Sequence, residues 1–291
     1  MDDSTTSGDE VRGGLKRTEL ADDSWVTCTE CEFTYPPIVE RCPECYPPAI
    51  PGRQSKVEVA EAKEPLTGEQ VLGIMDASGV NVYAFQHATL EGFEPEPDGH
   101  ALEAVQRYVE EWRESLWMRW PPRPWLYLYG AGSVVERGEV TLGNLGNGKT
   151  HLGVALAREL LAQHLLAPGQ YQFITAEALL LEMEGTFRSK AEDSEFRLLK
   201  KYEALELLHV DDFGVREPSA HAIRVLDELT KRREGKATIW TSNLSLKVVA
   251  QQHESLQRIV SRIAGECGEG ARYALKFEGA DRRLERSKRG R

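Results

Sequence analysis

The stretch Gly143–Thr150, GNLGNGKT, decides the fold of this 291-residue chain. It has the spacing G-x4-G-K-T of a phosphate-binding loop, and each position has a chemical reason. Glycines let backbone N–H groups turn inward around the β- and γ-phosphates, where a Cβ would obstruct them. Lys149 offers a point charge to the phosphate oxygens, and the Thr150 hydroxyl suits Mg²⁺. Gly143, Asn144, Leu145, Gly146, Asn147, Gly148, Lys149, Thr150 and His151 are therefore the expected ATP-contacting residues. The run that follows, HLGVALARELLAQHLL, is apolar almost all round. That predicts a buried helix over Thr150–Leu166 with its positive end at the phosphates. An ordinary glycine-rich turn is the competing interpretation, and the apolar run before and the buried helix after it weigh against it.

Upstream, WLYLYG (Trp125–Gly130) reads as a strand, yet Gly143 lies thirteen positions beyond Gly130. We read Trp125–Leu142 as two strands, Trp125–Tyr129 and Glu139–Leu142, with the second leading into the phosphates. Leu102, Val105, Val109, Trp112 and Leu116 step by three and four, which predicts an amphipathic helix over Gly99–Trp117 ending before Pro121-Pro122. Downstream, further strands are expected at Tyr171–Thr175, Leu205–Val210, Thr238–Thr241 and Tyr273–Phe277. Helices are expected at Ala176–Arg188, Ser194–Ala204, Ala220–Glu234, Leu246–His253 and Ser255–Ala264. Such βαβα alternation implies an α/β fold with a largely parallel sheet covered by helices on both faces.

A phosphate loop needs an acid-ended strand to hold its metal. LLHVDD (Leu207–Asp212) supplies one: Asp211 is expected to hold Mg²⁺ through water, and Asp212 to orient or deprotonate the attacking water. TIWTSN ends in Asn243, a candidate γ-phosphate sensor. His209, inside its strand, reads as a packed histidine. In the helix from Ser255, Leu256, Ile259, Val260 and Ile263 share an apolar face, while Arg258 and Arg262 share another. That Arg pair suits either a solvated face or an arginine finger offered to a neighbouring subunit.

Composition bounds the rest. A hydrophobic content of 41% against 29% charged residues is that of a soluble globular protein. No apolar stretch is long enough to span a membrane, and the acidic start MDDSTTSGDE excludes a secretory signal, so the expected location is cytoplasmic. The formal charge of −11 argues against indiscriminate coating of nucleic acid. Residues 1–24 read as a disordered acidic tail, 25–50 as a small cysteine-rich module, 51–65 as a linker, 66–279 as the ATPase domain and 280–291 as a basic tail. Cys28, Cys31, Cys42 and Cys45 form C-x2-C-x10-C-x2-C, the spacing of a four-thiolate structural Zn²⁺ site. Two disulfides are the weaker alternative in a cytosolic chain. Cys267 has no partner spacing.

Taken together, GNLGNGKTHL, LLHVDDFG, TIWTSNLS and RIVSRI resemble, in order and spacing, the AAA+ ATPases of the DnaC/DnaI helicase-loader and IstB transposition-helper group. ATLEGFEPEPDGHALEAVQRYVEEW resembles the segment that precedes the phosphate loop in those loaders. The resemblance covers about 66–283. It implies a five-stranded parallel AAA+ core, ATP-dependent homo-oligomers and contact with single-stranded DNA. It also implies Arg262 as the finger, with Arg282 or Arg283 near the family's final arginine, and an amino-terminal zinc module that grips a replicative DNA helicase. The family's strand contacts map to a region holding Phe187, Arg188, Lys190, Arg197, Lys200 and Lys201. Two departures stand out: the inserted segment before the phosphate loop, and Asp212 where the wider class has Glu, which implies slow hydrolysis. The function this implies is helicase loading. The alternatives are an IstB-like transposition helper and a non-hydrolysing, nucleotide-gated adaptor.

Overall fold

The structure, a computed structural model, describes residues 26–27, 34–35, 66–94, 99–115, 123–130, 134–136, 139–141, 146–188, 192–214 and 219–278. Contacts divide the chain into two units, Met1–Ser55 and Lys56–Arg291. In the first, β1 (Val26–Thr27) and β2 (Thr34–Tyr35) pair antiparallel, flanking the positions of Cys28 and Cys31. All four cysteines of the expected zinc site lie outside the described residues.

The second unit opens with α1 (Gly68–Ala77) and α2 (Val82–Phe85), two helices that periodicity did not foresee. A capping box starts α1: Thr67 Oγ1 accepts from the Gln70 amide, and Gln70 Oε1 accepts from the Thr67 amide at 2.8 Å. Helix α3 (His100–Ser115) buries Val105, Val109 and Trp112 of the expected stripe together with Tyr108, which the stripe did not include, while Leu102 is half-buried and Leu116 lies outside the described residues. Strand β3 (Leu126–Gly130) follows, then β4 (Val134–Glu136) and β5 (Glu139–Thr141).

Here the structure corrects the sequence reading. The segment Trp125–Leu142 contains three strands, and Glu139–Thr141 does not carry the phosphate loop out of the main sheet. It pairs antiparallel with β4, Val134 opposite Thr141 and Glu136 opposite Glu139, in a separate two-stranded sheet. That register leaves only Arg137 and Gly138 between the strands in sequence, a link of the length that favours a local hairpin. The main-sheet strand before the phosphate loop is β3.

Helix α4 (Lys149–Ala162), β6 (Tyr171–Thr175), α5 (Ala176–Arg188), α6 (Glu192–Ala204), β7 (Leu207–Asp211), α7 (Ala220–Arg232), β8 (Thr238–Ser242), α8 (Leu246–Gln252), α9 (Leu256–Glu266), a 3-10 turn and β9 (Ala274–Phe277) complete the unit. The main sheet has the order β6-β7-β8-β3-β9, and every neighbouring pair is parallel. All five residues of both β7 and β8 are buried. Alternate strand residues face opposite ways, so both faces of the sheet are covered. Helix α4 ends before the apolar pattern does, because His164 turns left-handed (φ 55°) and the Leu165 and Leu166 amides fold back onto the Leu160 carbonyl.

Helix α4 is buried nearly all round and packs across β3, β7 and β8 beneath α1 and α3. Its close approach depends on Gly153. A Cβ there would lie 2.6 Å from His209 Cε1 and 3.3 Å from Ile239 Cγ2. His209 has little room to yield. Its ring stands edge-on to Phe173 with centroids 4.8 Å apart, and its Nδ1 lies 3.4 Å from the Tyr171 hydroxyl. Burial also pushes its pKa down to about 3, so it packs as a neutral ring. Helix propensity alone would have Gly153→Ala stabilise the protein by about 1 kcal/mol. We expect instead a loss of about 1–3 kcal/mol from overpacking. Urea unfolding measures this, and an alanine variant as stable as wild type would contradict the close helix–sheet contact.

Candidate active site

The carboxyl ends of β7 and β8 and the amino end of α4 bring the expected site residues together, where parallel sheets take ligands. Gly143, Asn144 and Leu145 lie outside the described residues. Gly146 and Gly148 adopt positive φ, 77° and 101°, backbone that L side chains rarely take. Gly148 caps α4 without any side-chain hydrogen bond to the first turn. The amino end of a buried fourteen-residue helix is thus capped by a residue that has no side chain, an arrangement that leaves room for a phosphate.

Lys149 is buried, and its Nζ donates to Asn147 Oδ1 at 2.8 Å. Asn147 Nδ2 in turn donates to the Phe277 carbonyl at 3.1 Å, tying the loop to the end of β9. Sequence reading placed Asn147 among the phosphate contacts but not in this brace. Thr150 Oγ1 donates to Asp211 Oδ1 at 2.8 Å. The same oxygen accepts from the Thr241 hydroxyl. Burial raises the pKa of Asp211, opposed by the hydrogen bonds from Thr241 and Thr150 and by the charge of Lys149. A Thr hydroxyl and a carboxylate in hydrogen-bond contact at a helix amino end form a hard-oxygen pair, which fits Mg²⁺. Asp212 is exposed with φ 56°, and its amide donates to Thr241 Oγ1 at 3.2 Å. Asn243 is half-buried just after β8. His151 packs beside the rings of Phe85 and Phe93, at 6.4 and 6.1 Å between centroids.

Arg262 departs from the sequence picture. It leaves the apolar seam of α9 as the spacing requires, but it does not reach free into solvent. Its guanidinium donates to Glu234 Oε1 at 2.5 Å, to Asp227 Oδ1 at 3.1 Å and to Thr230 Oγ1 at 3.0 Å, all in the same chain. Spacing identifies the outward face of a helix, not the carboxylates that wait there. Arg258 is exposed one turn earlier, and both arginines line an open groove with Glu234, Gln257 and Ser261. Arg282 and Arg283 lie outside the described residues.

Of the basic cluster, the side chains of Phe187, Arg188 and Lys190 are outside the described set, while Arg197, Lys200 and Lys201 are exposed on α6. The structure adds Phe196, 46% exposed, with Lys200 Nζ 4.6 Å and the Arg232 guanidinium carbon 5.3 Å from its ring centre. An apolar residue amid charges gave no periodic signal. No described helix is long and apolar enough to cross a membrane.

The strand order β6-β7-β8-β3-β9 and the positive-φ glycines before α4 are those of an AAA+ P-loop fold. A family model described as IstB-like ATP binding protein matches residues 132–263. The replicative helicase loader DnaC of Buchnera aphidicola (strain Sg) is 25% identical over 197 residues, 66% of this chain and 69% of that protein. Escherichia coli DnaC is 27% identical over 150 residues, and that match spans about half of each chain (51%). Among solved structures, that of the DnaC helicase loader is similar at a TM-score of 0.48 and 18% identity, covering 67% of this chain and 97% of that one. That of DnaI gives 0.44 and 20%, with 67% and 89% covered. These matches make the chain similar to the AAA+ ATPases of the DnaC/IstB-like group.

Lys149→Ala should weaken ATP binding about 100-fold, because the phosphates lose a buried cation. Asp211→Ala should keep measurable binding and lose Mg²⁺-dependent turnover. Fluorescence titration and phosphate release separate the two. Unchanged affinity in the Lys149 variant would mean that the phosphates bind elsewhere.

Proposed function

We propose that this chain is a replicative helicase loader that hydrolyses ATP slowly and contacts single-stranded DNA. The observation that carries the proposal is the cluster of Lys149, Thr150 and Asp211 at the amino end of a buried helix in a chain whose curated relatives are helicase loaders. When bound, Mg²⁺ supplies charge neutralisation at the β- and γ-phosphates. Thr150 and Asp211 would hold the ion, and Lys149 with the α4 amides would hold the phosphates. Asp212 would orient the attacking water, and Asn243 would report on the γ-phosphate. The shorter reach of Asp212, compared with Glu, favours slow turnover.

The cysteines at 28, 31, 42 and 45 would hold one Zn²⁺ per chain, and the module they close would grip the helicase. Arg197, Lys200 and Phe196 would offer cations and a stacking face to a single strand, together with Phe187, Arg188 and Lys190 from the sequence. The match to the IstB-like family model favours a second reading, a transposition helper acting on duplex DNA. Capture of the purified replicative helicase in the presence of ATP separates the two. A loader binds it, and a chain that ignores the helicase but binds duplex DNA is the transposition helper. Replacing Cys42 and Cys45 by Ser should remove the zinc found by elemental analysis and abolish capture, while ATP affinity is retained. A wild-type chain that carries no zinc would contradict the module.

The active form would be a homo-oligomer in which Arg262 completes the neighbour's ATP site, with Arg258 as the alternative. Arg262 would first have to exchange Asp227 and Glu234 for the phosphate, which also favours slow basal turnover. A finger in trans is worth ~10³–10⁵ in rate. Arg262→Ala should therefore keep ATP affinity and lose most turnover, and mixing it with Lys149→Ala chains should recover part of the rate. No recovery in oligomers that still form would rule Arg262 out.

A further inference from the structure

Thr241 is the next-to-last residue of β8, and nothing in a phosphate-loop sequence pattern assigns it a task. The structure gives it contacts to three consecutive residues of the acid-bearing turn. Its hydroxyl donates to Asp211 Oδ1 and accepts from the Asp212 amide at 3.2 Å. Its carbonyl accepts from the Phe213 amide at 2.8 Å. The neighbouring Ser242 hydroxyl donates to the Phe213 carbonyl at 2.6 Å and accepts from the Leu244 amide at 3.0 Å. Both Thr241 and Ser242 are about 1% exposed, so water does not compete for these groups.

Two features of the turn need such a holder. Asp212 has φ 56°, a left-handed backbone that a residue with a Cβ adopts reluctantly, and its own amide and the next are both anchored on Thr241. Asp211 is buried, and its Oδ1 is shared by two hydroxyls, those of Thr150 and Thr241. Thr150 is itself an expected metal ligand. Thr241 is therefore the hydroxyl on Asp211 that does not have to serve the ion.

We propose that Thr241 is a positioning residue for the metal: one hydroxyl aims the Asp211 carboxylate and sets the Asp212 backbone, coupling the strand that ends near Asn243 to the strand that holds Mg²⁺. This rests on the reading of Thr150 and Asp211 as the Mg²⁺ holders. Coupling follows from the chain itself. Thr241 and Asn243 are two residues apart on β8 and its exit, so a shift of one is transmitted to the other, and the same shift reaches Asp211 and Asp212 through the Thr241 hydroxyl.

The test compares Thr241→Val, which keeps the shape and loses the hydroxyl, with Thr241→Ser, which keeps the hydroxyl. The probe is Mn²⁺ bound to the complex with a non-hydrolysable ATP analogue, counted by electron paramagnetic resonance, so that no turnover is needed. Affinity for the analogue in EDTA reports folding and phosphate binding separately. We expect Thr241→Val to bind the analogue in EDTA within about twofold of wild type, and to bind Mn²⁺ about tenfold more weakly. Turnover should fall by a similar factor, and Thr241→Ser should restore Mn²⁺ binding. Wild-type Mn²⁺ binding in Thr241→Val would overturn the proposal, as would a serine variant as defective as valine. If valine disrupts folding, seen as loss of binding in EDTA, the same comparison between Thr241→Ser and Thr241→Ala decides. A wild-type chain that binds no Mn²⁺ with the analogue would refute the Mg²⁺ assignment itself, a result distinct from a failure at Thr241.

Discussion

A carboxylate buried at the amino end of a buried helix is the contact on which the rest depends. Leaving Asp211 unpaired inside the fold would cost several kcal/mol. The chain supplies the hydroxyls of Thr150 and Thr241, the nearby charge of Lys149 and the dipole of α4. Those partners come from α4 and β8, and they meet only if β7 and β8 lie side by side with α4 across them. The parallel order β6-β7-β8-β3-β9 provides that meeting place. Stability and chemistry share one set of hydrogen bonds, so changes at Thr150 or Thr241 act on both.

The opposite end of β8 carries a buried charge of the other sign. Arg233 is fully buried after α7 and donates to the carbonyls of Tyr202 at 2.6 Å and Leu205 at 3.0 Å, to the Ala237 carbonyl and to Thr238 Oγ1 at 2.9 Å. Burial lowers its pKa to about 9, and no carboxylate contacts it among the described residues. Four hydrogen bonds from its guanidinium instead satisfy the end of α6 and the entry to β8. Strand β8 is thus anchored by Arg233 where it enters the sheet and by Thr241 and Ser242 where it leaves.

The features legible in the sequence were those whose chemistry is local. Lys149, Thr150 and Asp211, which meet in the fold, come from short patterns of neighbouring residues, and the long apolar segment after Thr150 announced a buried helix. Pairing was less legible. Val134–Glu136 and Glu139–Thr141 are short enough to join either a hairpin or the main sheet, and apolar alternation does not choose between them. Helix α1 begins right after a charged, proline-containing stretch, and its start signal is a capping box rather than a motif. Thr241 and Arg262 show the deeper limit. Their hydrogen-bond partners lie 28 to 35 positions away in sequence. Only the assembled fold reveals that one hydroxyl serves two acids, or that an arginine on an outward face meets two carboxylates of its own chain.

The most direct test of this account is a crystal structure with a non-hydrolysable ATP analogue and Mn²⁺, with the ion located by its anomalous scattering. The account predicts one ion within ligand distance of Thr150 Oγ1, its water shell touching Asp211, with the γ-phosphate beside Lys149. An ion bound elsewhere, or a nucleotide whose phosphates do not reach the amino end of α4, would contradict it.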